Sequence, residues 1–283
     1  MKILLTGSGG FIGGRLKEYL KDKFELLVPR SFELDLTEES AVEKYFRENS
    51  IDLVVNCATN GGARGVEDAP ETLNNNLKMI DNILKFKGNG VRVILFGSGA
   101  MYDKSRTLHR VKESELGKFV PGDLYGRSKM LIAQKIQGRK DVVCLNIFAC
   151  YGPGEKESRF PTYAINCVLN NQPIIINQNV IFDYLFVEDM QKIVEHFIID
   201  CPVSTNIINI TPDSSISLLE ISNLINEIGN TKVDIIVKNP VMNLEYTGSN
   251  DILRQNIPDF EFKDIKEGLK ILYNYKKENL NEK

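Results

Sequence analysis

Tryptophan is absent from this 283-residue chain, histidine occurs twice and cysteine only five times. The histidines, His109 and His196, fall at no familiar metal-ligand spacing from Cys57, Cys144, Cys150, Cys167 or Cys201, so no metal site is expected. An odd set of scattered cysteines, most in apolar settings, predicts free buried thiols in a reducing cytoplasm rather than a disulfide framework. No apolar run approaches the roughly 20 residues of a membrane-spanning helix. Lys2 and Ile3 lead straight into a strand pattern, so no signal peptide is expected. Nor is there an excess of one charge: 35 Lys and Arg against 38 Asp and Glu leave a net −3, with no basic footprint for nucleic acid. Gly/Ser linkers and internal repeats are also missing. These absences point to a cytoplasmic enzyme-sized protein with neither nucleic-acid nor membrane partners.

What is present is an alternation. Apolar runs at Leu26–Val28, Leu53–Asn56, Val91–Phe96 and Val142–Ile147 read as buried parallel strands, with helical patterns at Glu38–Asn49, Pro70–Lys87 and Leu124–Gln137 between them. Such alternation predicts an α/β fold with a Rossmann-type doubly wound parallel sheet. After Tyr151-Gly152-Pro153-Gly154 the segments become shorter and richer in Asn and Ile. That change places a dinucleotide-binding domain at 1–154, to which later segments return, and a smaller substrate-binding lobe at 155–283. The charged stretch Lys276–Lys283 is expected to fray.

The first apolar run, Lys2–Thr6, ends in Gly7-Ser8-Gly9-Gly10-Phe11-Ile12-Gly13 and then a helical pattern. Strand, glycine turn and helix form the setting of a dinucleotide fingerprint. Gly7 permits the tight turn, and Gly10 lacks the Cβ that would block a pyrophosphate. Gly13 lets the helix approach the strand, while the helix amino terminus faces the anion. An ordinary βα turn is the plain alternative.

Further along, Tyr125 and Lys129 stand four apart on a helical pattern and so share one face. An ammonium beside a phenol favours the phenolate, which suits the pair to moving a proton. By itself the spacing is equally that of a solvated helix face.

Taken together the residues resemble the extended short-chain dehydrogenases/reductases that modify nucleotide sugars, including the GDP-fucose synthase and CDP-abequose/paratose synthase groups. The resemblance spans nearly the whole chain. It rests on the Gly7–Gly13 fingerprint, Asp35-Leu36 after the second strand, and Asn56-Cys57-Ala58 ending the family's fourth strand. It continues through the run from Phe96-Gly97-Ser98 to Tyr102, the Tyr125/Lys129 helix, Tyr151–Gly154 and the run Phe182–Asp189. It implies a catalytic set of Ser98, Tyr125, Lys129 and Asn76. Ser98 would hydrogen-bond the oxygen undergoing redox change, Tyr125 would protonate it, and Lys129 would hold the nicotinamide ribose. Asn74 and Asn75 leave the register of Asn76 open by one or two places, and Asn76 reads equally as a solvated helix residue. Cofactor contacts would come from Gly7, Gly9, Gly10, Phe11, Ile12, Gly13, Arg30, Ser31, Asp35, Leu36, Cys57 and Ala58, together with Tyr125 and Lys129. Where an NAD enzyme offers an acid after its second strand, this chain has Arg30 and Ser31, a cation and a hydroxyl suited to a 2′-phosphate. NADP is therefore favoured over NAD, with Arg15 a further phosphate partner.

Dehydratases of this family carry an Asp-Glu pair where Gly99 and Ala100 stand here, and the epimerase-reductases carry Cys at Ala100. Neither residue present can transfer a proton, although His109 is a spare acid. The expected activity is reduction of the 4-keto group of a CDP-, GDP- or dTDP-linked deoxy sugar. The alternatives are an NAD-dependent 4-epimerase and, in another class, a non-catalytic dinucleotide sensor. For the substrate, Ser98, Ala100, Arg159, Phe160 and Arg254 are the expected contacts, with Lys156 and Tyr163 behind them. Finally, Met79, Ile83, Met130 and Leu131 do not fit one apolar stripe per helix, so the two helices are expected to meet their copies in a homodimer.

Overall fold

The computed structural model describes residues 1–281 apart from Arg64 and Val203. Six parallel strands form the main sheet, in spatial order Ile207–Asn209, Val142–Ile147, Arg92–Ser98, Leu53–Asn56, Lys2–Thr6 and Glu25–Leu27. Alternate side chains of each strand serve opposite layers. Leu4, Val54, Val93, Leu95 and Val142 face the helices Glu39–Glu48, Thr72–Phe86 and Leu124–Ile136, whose Val42, Met79, Ile80, Ile83, Met130, Ala133 and Ile136 are buried there. Ile3, Leu5, Leu53, Val55, Ile94 and Val143 face the helices Phe11–Leu20 and Val187–Ile199, through Leu16, Leu20, Met190, Ile193 and Val194. Burial on both faces is why these strands read as unbroken apolar runs.

A third core lies outside the sheet. Helices Phe160–Leu169, Leu218–Gly229 and Ile265–Asn281 enclose Ala164, Ile165, Ile174, Ile221, Ile225, Leu269 and Leu272. Its strands Ile174–Gln178 and Ile235–Asn239 pair in parallel, and a four-stranded sheet joins Leu108–Val111, Tyr246–Gly248, Ile181–Phe182 and Ile216–Ser217. The chain enters this lobe after Tyr151 and returns to the main sheet with Val187–Ile199 and Ile207–Asn209.

Several expectations change here. The strand ending at Asn56 is third along the chain, not fourth: residues 31–36 form turns and no strand, and Glu25–Leu27 is the sheet edge. Helix continues through Lys276 to Asn281, where fraying was expected. The apolar face invoked for a homodimer is not on the surface. Met79, Ile83 and Met130 are buried within the chain's own core and Leu131 is half-buried against it, while Asp81 and Lys135 form an ion pair between these helices outside. All five cysteines are free, with Cys144, Cys150 and Cys167 buried, Cys57 half-buried and Cys201 exposed.

Candidate active site

The strand order reverses at Lys2–Thr6, whose neighbours Glu25–Leu27 and Leu53–Asn56 come next in the chain on opposite sides. In open α/β sheets ligands bind at such a switch point, beyond the carboxyl ends of the strands. A cleft of about 1470 Å³ lies there, running from Gly7–Gly13 to the lobe residues Phe160, Phe182 and Tyr184. A pocket for one small ligand is typically about 300–1,000 Å³, so this one has room for two.

The glycines fit a bound dinucleotide. Gly7 has φ +70°, and a Cβ there would come 2.5 Å from the amide nitrogen of Ala58. A Cβ on Gly13 would collide with the Gly7 carbonyl, so helix and turn touch only because neither carries a side chain. Gly10 meets nothing nearer than the Gly7 oxygen at 3.5 Å, which leaves its cleft side clear for a diphosphate. The Arg30 guanidinium lies over Gly9, with Nη2 at 3.3 Å from a Cβ built there. Ser31, Asp35, Leu36, Cys57 and Ala58 line the same end, as do Phe11 and Ile12. Asp35 also accepts from the amide and hydroxyl of Thr37, at 2.8 and 2.7 Å. Burial pushes the Cys57 thiol well above its usual range against the pull of Lys129, so it packs as a small apolar group.

At the middle of the cleft Ser98 ends its strand, and Tyr125 and Lys129 come from the helix Leu124–Ile136. Asp123 caps that helix by accepting from Gly126 N at 2.8 Å, which fixes the turn bearing Tyr125. Lys129 is buried and donates to the Phe96 carbonyl at 2.8 Å. Ser98 accepts from Ala100 N at 3.2 Å. Gly99 has no room for a side chain: a Cβ would lie 2.5 Å from Phe148 and 2.7 Å from the Tyr246 hydroxyl.

Other expected contacts are elsewhere. Asn76 is buried behind the cleft, accepting from Asn60 N at 2.8 Å and donating to the Ser128 hydroxyl at 2.9 Å; Asn75 is the residue that lines it. Its bonds brace a loop against a helix, so Asn76 is corrected from a catalytic to a bracing position. Arg254 is outside the cleft too. Its guanidinium is paired with both carboxylate oxygens of Asp213 and donates to the carbonyls of Pro258 and Phe260, which uses four of its five N–H donors. His109 is exposed, bonded to Glu245 at 2.9 Å, and not among the residues that line the cleft. Tyr163 accepts from Ile175 N at 3.0 Å within the lobe. Arg159, Phe160, Lys156 and Ala100 do line the cleft.

Three residues without a sequence signal complete the site. Asp68 accepts from Gly62 N at 2.9 Å and from Tyr125 N at 2.8 Å, strapping the loop around Gly62 over the Tyr125 ring. A Cβ on Gly62, at φ +74°, would meet that ring at 2.8 Å. Glu155 accepts from the amide and hydroxyl of Thr162 through Oε1, at 3.1 and 2.7 Å, and its buried Oε2 has no partner. Burial pushes Glu155 up to about 7 against those bonds. The third is Tyr246, which lines the cleft with its hydroxyl 2.7 Å from where a Gly99 Cβ would be.

Residues 3–210 match the model of the NAD dependent epimerase/dehydratase family. The chain belongs to that family. Among curated relatives of this family member, GDP-L-colitose synthase of Yersinia pseudotuberculosis is 34% identical over 109 residues, covering 37% of this chain and 35% of that one. ADP-L-glycero-D-manno-heptose-6-epimerase of Pseudomonas paraeruginosa is 24% identical over 260 residues, covering 78% and 76%. The fold matches GDP-mannoheptose C4 reductase from Campylobacter jejuni, solved with NADP, at TM-score 0.82 and 20% identity over 98% of both chains. It also matches the NADP-bound GDP-L-fucose synthetase of Naegleria fowleri at TM-score 0.83 and 16% identity, over 99% of this chain and 93% of that one.

Proposed function

We propose that this protein is an NADP-dependent reductase acting on the 4-keto group of a nucleotide-linked deoxy sugar, with a CDP, GDP or dTDP carrier. The observation that carries this reading is the convergence of Ser98, Tyr125 and Lys129 on one cleft with the glycine turn. Gly99 cannot accept an acid without displacing Phe148 and Tyr246, Ala100 has no titratable group, and His109 is on the surface. That set supports redox chemistry at one carbon, and positions 99 and 100 bring no acid–base group for dehydration or for epimerisation beside the carbonyl.

In this reading the glycine turn and helix amino terminus hold the diphosphate of NADP, and Arg30 with Ser31 takes the 2′-phosphate. When bound, NADP(H) would supply the hydride from its nicotinamide. Ser98 donates a hydrogen bond to the sugar carbonyl and Tyr125 gives it a proton as negative charge builds on the oxygen. Lys129, anchored on the Phe96 carbonyl, holds a positive charge beside the phenol and the ribose. Arg159 and Lys156, which line the cleft, would meet the sugar's diphosphate.

The 24% identity to a protein named as a heptose 6-epimerase, over most of this chain, favours one second reading: an epimerase that keeps NAD bound. Cofactor accounting separates the two. A reductase consumes one NADPH per product, whereas an epimerase converts sugar with no net oxidation. Conversion without NADPH loss would overturn the proposal.

A further inference from the structure

From Gly154 to Arg159 the chain is exposed at every position except one: Glu155 is buried. Its Oε1 accepts from the amide and the hydroxyl of Thr162, seven residues ahead, at 3.1 and 2.7 Å. Thr162 stands in the first turn of the helix Phe160–Leu169. The N-cap residue of that helix, Arg159, makes no side-chain cap, and Pro161 follows in the first turn. Glu155 therefore supplies the acceptor that the cap position leaves out. It also ties together the two ends of the segment 155–162. Within that closed segment Lys156, Ser158, Arg159, Phe160 and Pro161 all line the cleft.

We infer that Glu155 is a positioning residue: by closing this segment onto the helix it presents Arg159 and Phe160 to the substrate. It acts through them, since its own Oε1 is engaged by Thr162 and its Oε2 is buried. That the substrate is a nucleotide sugar rests on the reductase reading. The closure depends on a proton. A negative charge on the partnerless Oε2 is costly, and burial pushes the carboxyl up to about 7. On the same segment Arg159 pulls the carboxyl down and Glu157 pushes it up. The Cys150 thiol and Tyr151 phenol of the neighbouring strand Ala149–Tyr151 are kept neutral by burial, with Asp189 of the helix Val187–Ile199 adding to the effect. Arg15 of the helix Phe11–Leu20 stands beside Gly154, its Cδ 3.9 Å from where a Cβ would be. Below about pH 7 the neutral carboxyl stays on Thr162, and above it the charged form competes with the substrate for Arg159.

The test sets Glu155→Ala against Glu155→Gln. The first removes both bonds to Thr162 and should raise KM for the sugar about tenfold, the size of one or two lost hydrogen bonds, with kcat and NADPH affinity nearly unchanged. Glu155→Gln keeps the acceptor without the charge and should restore the wild-type KM. Between about pH 6 and pH 8 KM should rise for wild type and stay nearly level for Glu155→Gln. A fall in kcat at unchanged KM in Glu155→Ala, or no rescue by Glu155→Gln, would overturn the inference. So would parallel pH profiles for wild type and Glu155→Gln, a comparison that stands even where Glu155→Ala does not fold. Calorimetric titration of the NADP-loaded proteins with CDP, GDP and dTDP reads the same contrast without turnover. The nucleotide that wild type binds should bind about tenfold more weakly to Glu155→Ala and normally to Glu155→Gln, and equal affinities overturn the inference. A wild type that binds one of these nucleotides yet reduces no sugar would count against the reductase reading, and the titration would still decide this one.

Discussion

The Lys129 ammonium lies 5.4 Å from the centre of the Tyr125 ring and donates to the Phe96 carbonyl at 2.8 Å. The carbonyl belongs to the strand that ends in Ser98, so one hydrogen bond fixes the active helix against the strand carrying the third member of the set. Lys129→Met keeps the stem and loses the anchor and the charge. The expected outcome is lost turnover together with weaker NADPH binding, read by fluorescence titration. Unchanged affinity for the cofactor would remove Lys129 from its ribose.

Cofactor preference turns on Arg30 over Gly9. Arg30→Ala should weaken NADPH about ten- to a hundredfold, the size of one or two charge-assisted bonds, and leave NADH nearly unchanged, because only NADPH carries the 2′-phosphate. Competition titrations with both nucleotides read the difference. Equal losses would make Arg30 a part of the turn and defeat the NADP assignment.

Asp68 ties the Gly62 loop to the amide of Tyr125. Asp68→Ala removes both bonds at once, and hydrogen exchange at Gly62 and Tyr125 should speed up while the core strands Arg92–Ser98 and Val142–Ile147 stay protected. Turnover should fall with the loosening of the phenol. Protection that is unaffected at both amides would show that the loop is held some other way.

Stability should fall as pH rises toward neutral, through Glu113. Its carboxyl accepts from Asn209 N at 2.8 Å, yet burial dominates and pushes it up from 4.5 to about 7. The folded state therefore holds this proton more tightly than the unfolded chain. Its contribution is fully present below about pH 4.5 and is lost as pH passes through about 7. The interval corresponds to about 3 kcal/mol at most. Glu113→Gln keeps the acceptor without the charge, so its unfolding midpoint should vary less than the wild type's between pH 5 and about 8. Identical slopes would show that Glu113 does not carry the dependence.

The sequence announced the cofactor half because its signals are local. A glycine turn between a strand and a helix, unbroken apolar strands, and a Tyr and Lys one turn apart are each legible within a dozen residues. The helices Glu39–Glu48, Thr72–Phe86 and Leu124–Ile136 fell within two residues of their patterns. The other half of the site is assembled from distant pieces. Tyr246 reaches Gly99 across 147 positions by pairing short strands, and Asp68 reaches Tyr125 across 57, with no periodicity to mark either. Arg254 misled because a charged side chain in sequence carries no sign of its partner, and here that partner is Asp213. Asn76 misled by a single register step, since one position of rotation on a helix separates a cleft-lining Asn75 from a buried brace. The apolar residues assigned to a dimer face misled for the same reason: the sheet below the two helices is wide enough to bury them.

The central claim is that Tyr125 gives the proton that completes reduction. Tyr125→Phe removes one oxygen atom and leaves the ring against Gly62 and the cofactor cradle intact. With NADPH and a panel of CDP-, GDP- and dTDP-linked 4-keto sugars, the substrate that wild type reduces should be turned over about two to four powers of ten more slowly by the variant, at unchanged NADPH affinity. A variant that consumes NADPH within about threefold of the wild-type rate would contradict the account, since an acid worth so little is not the catalytic one.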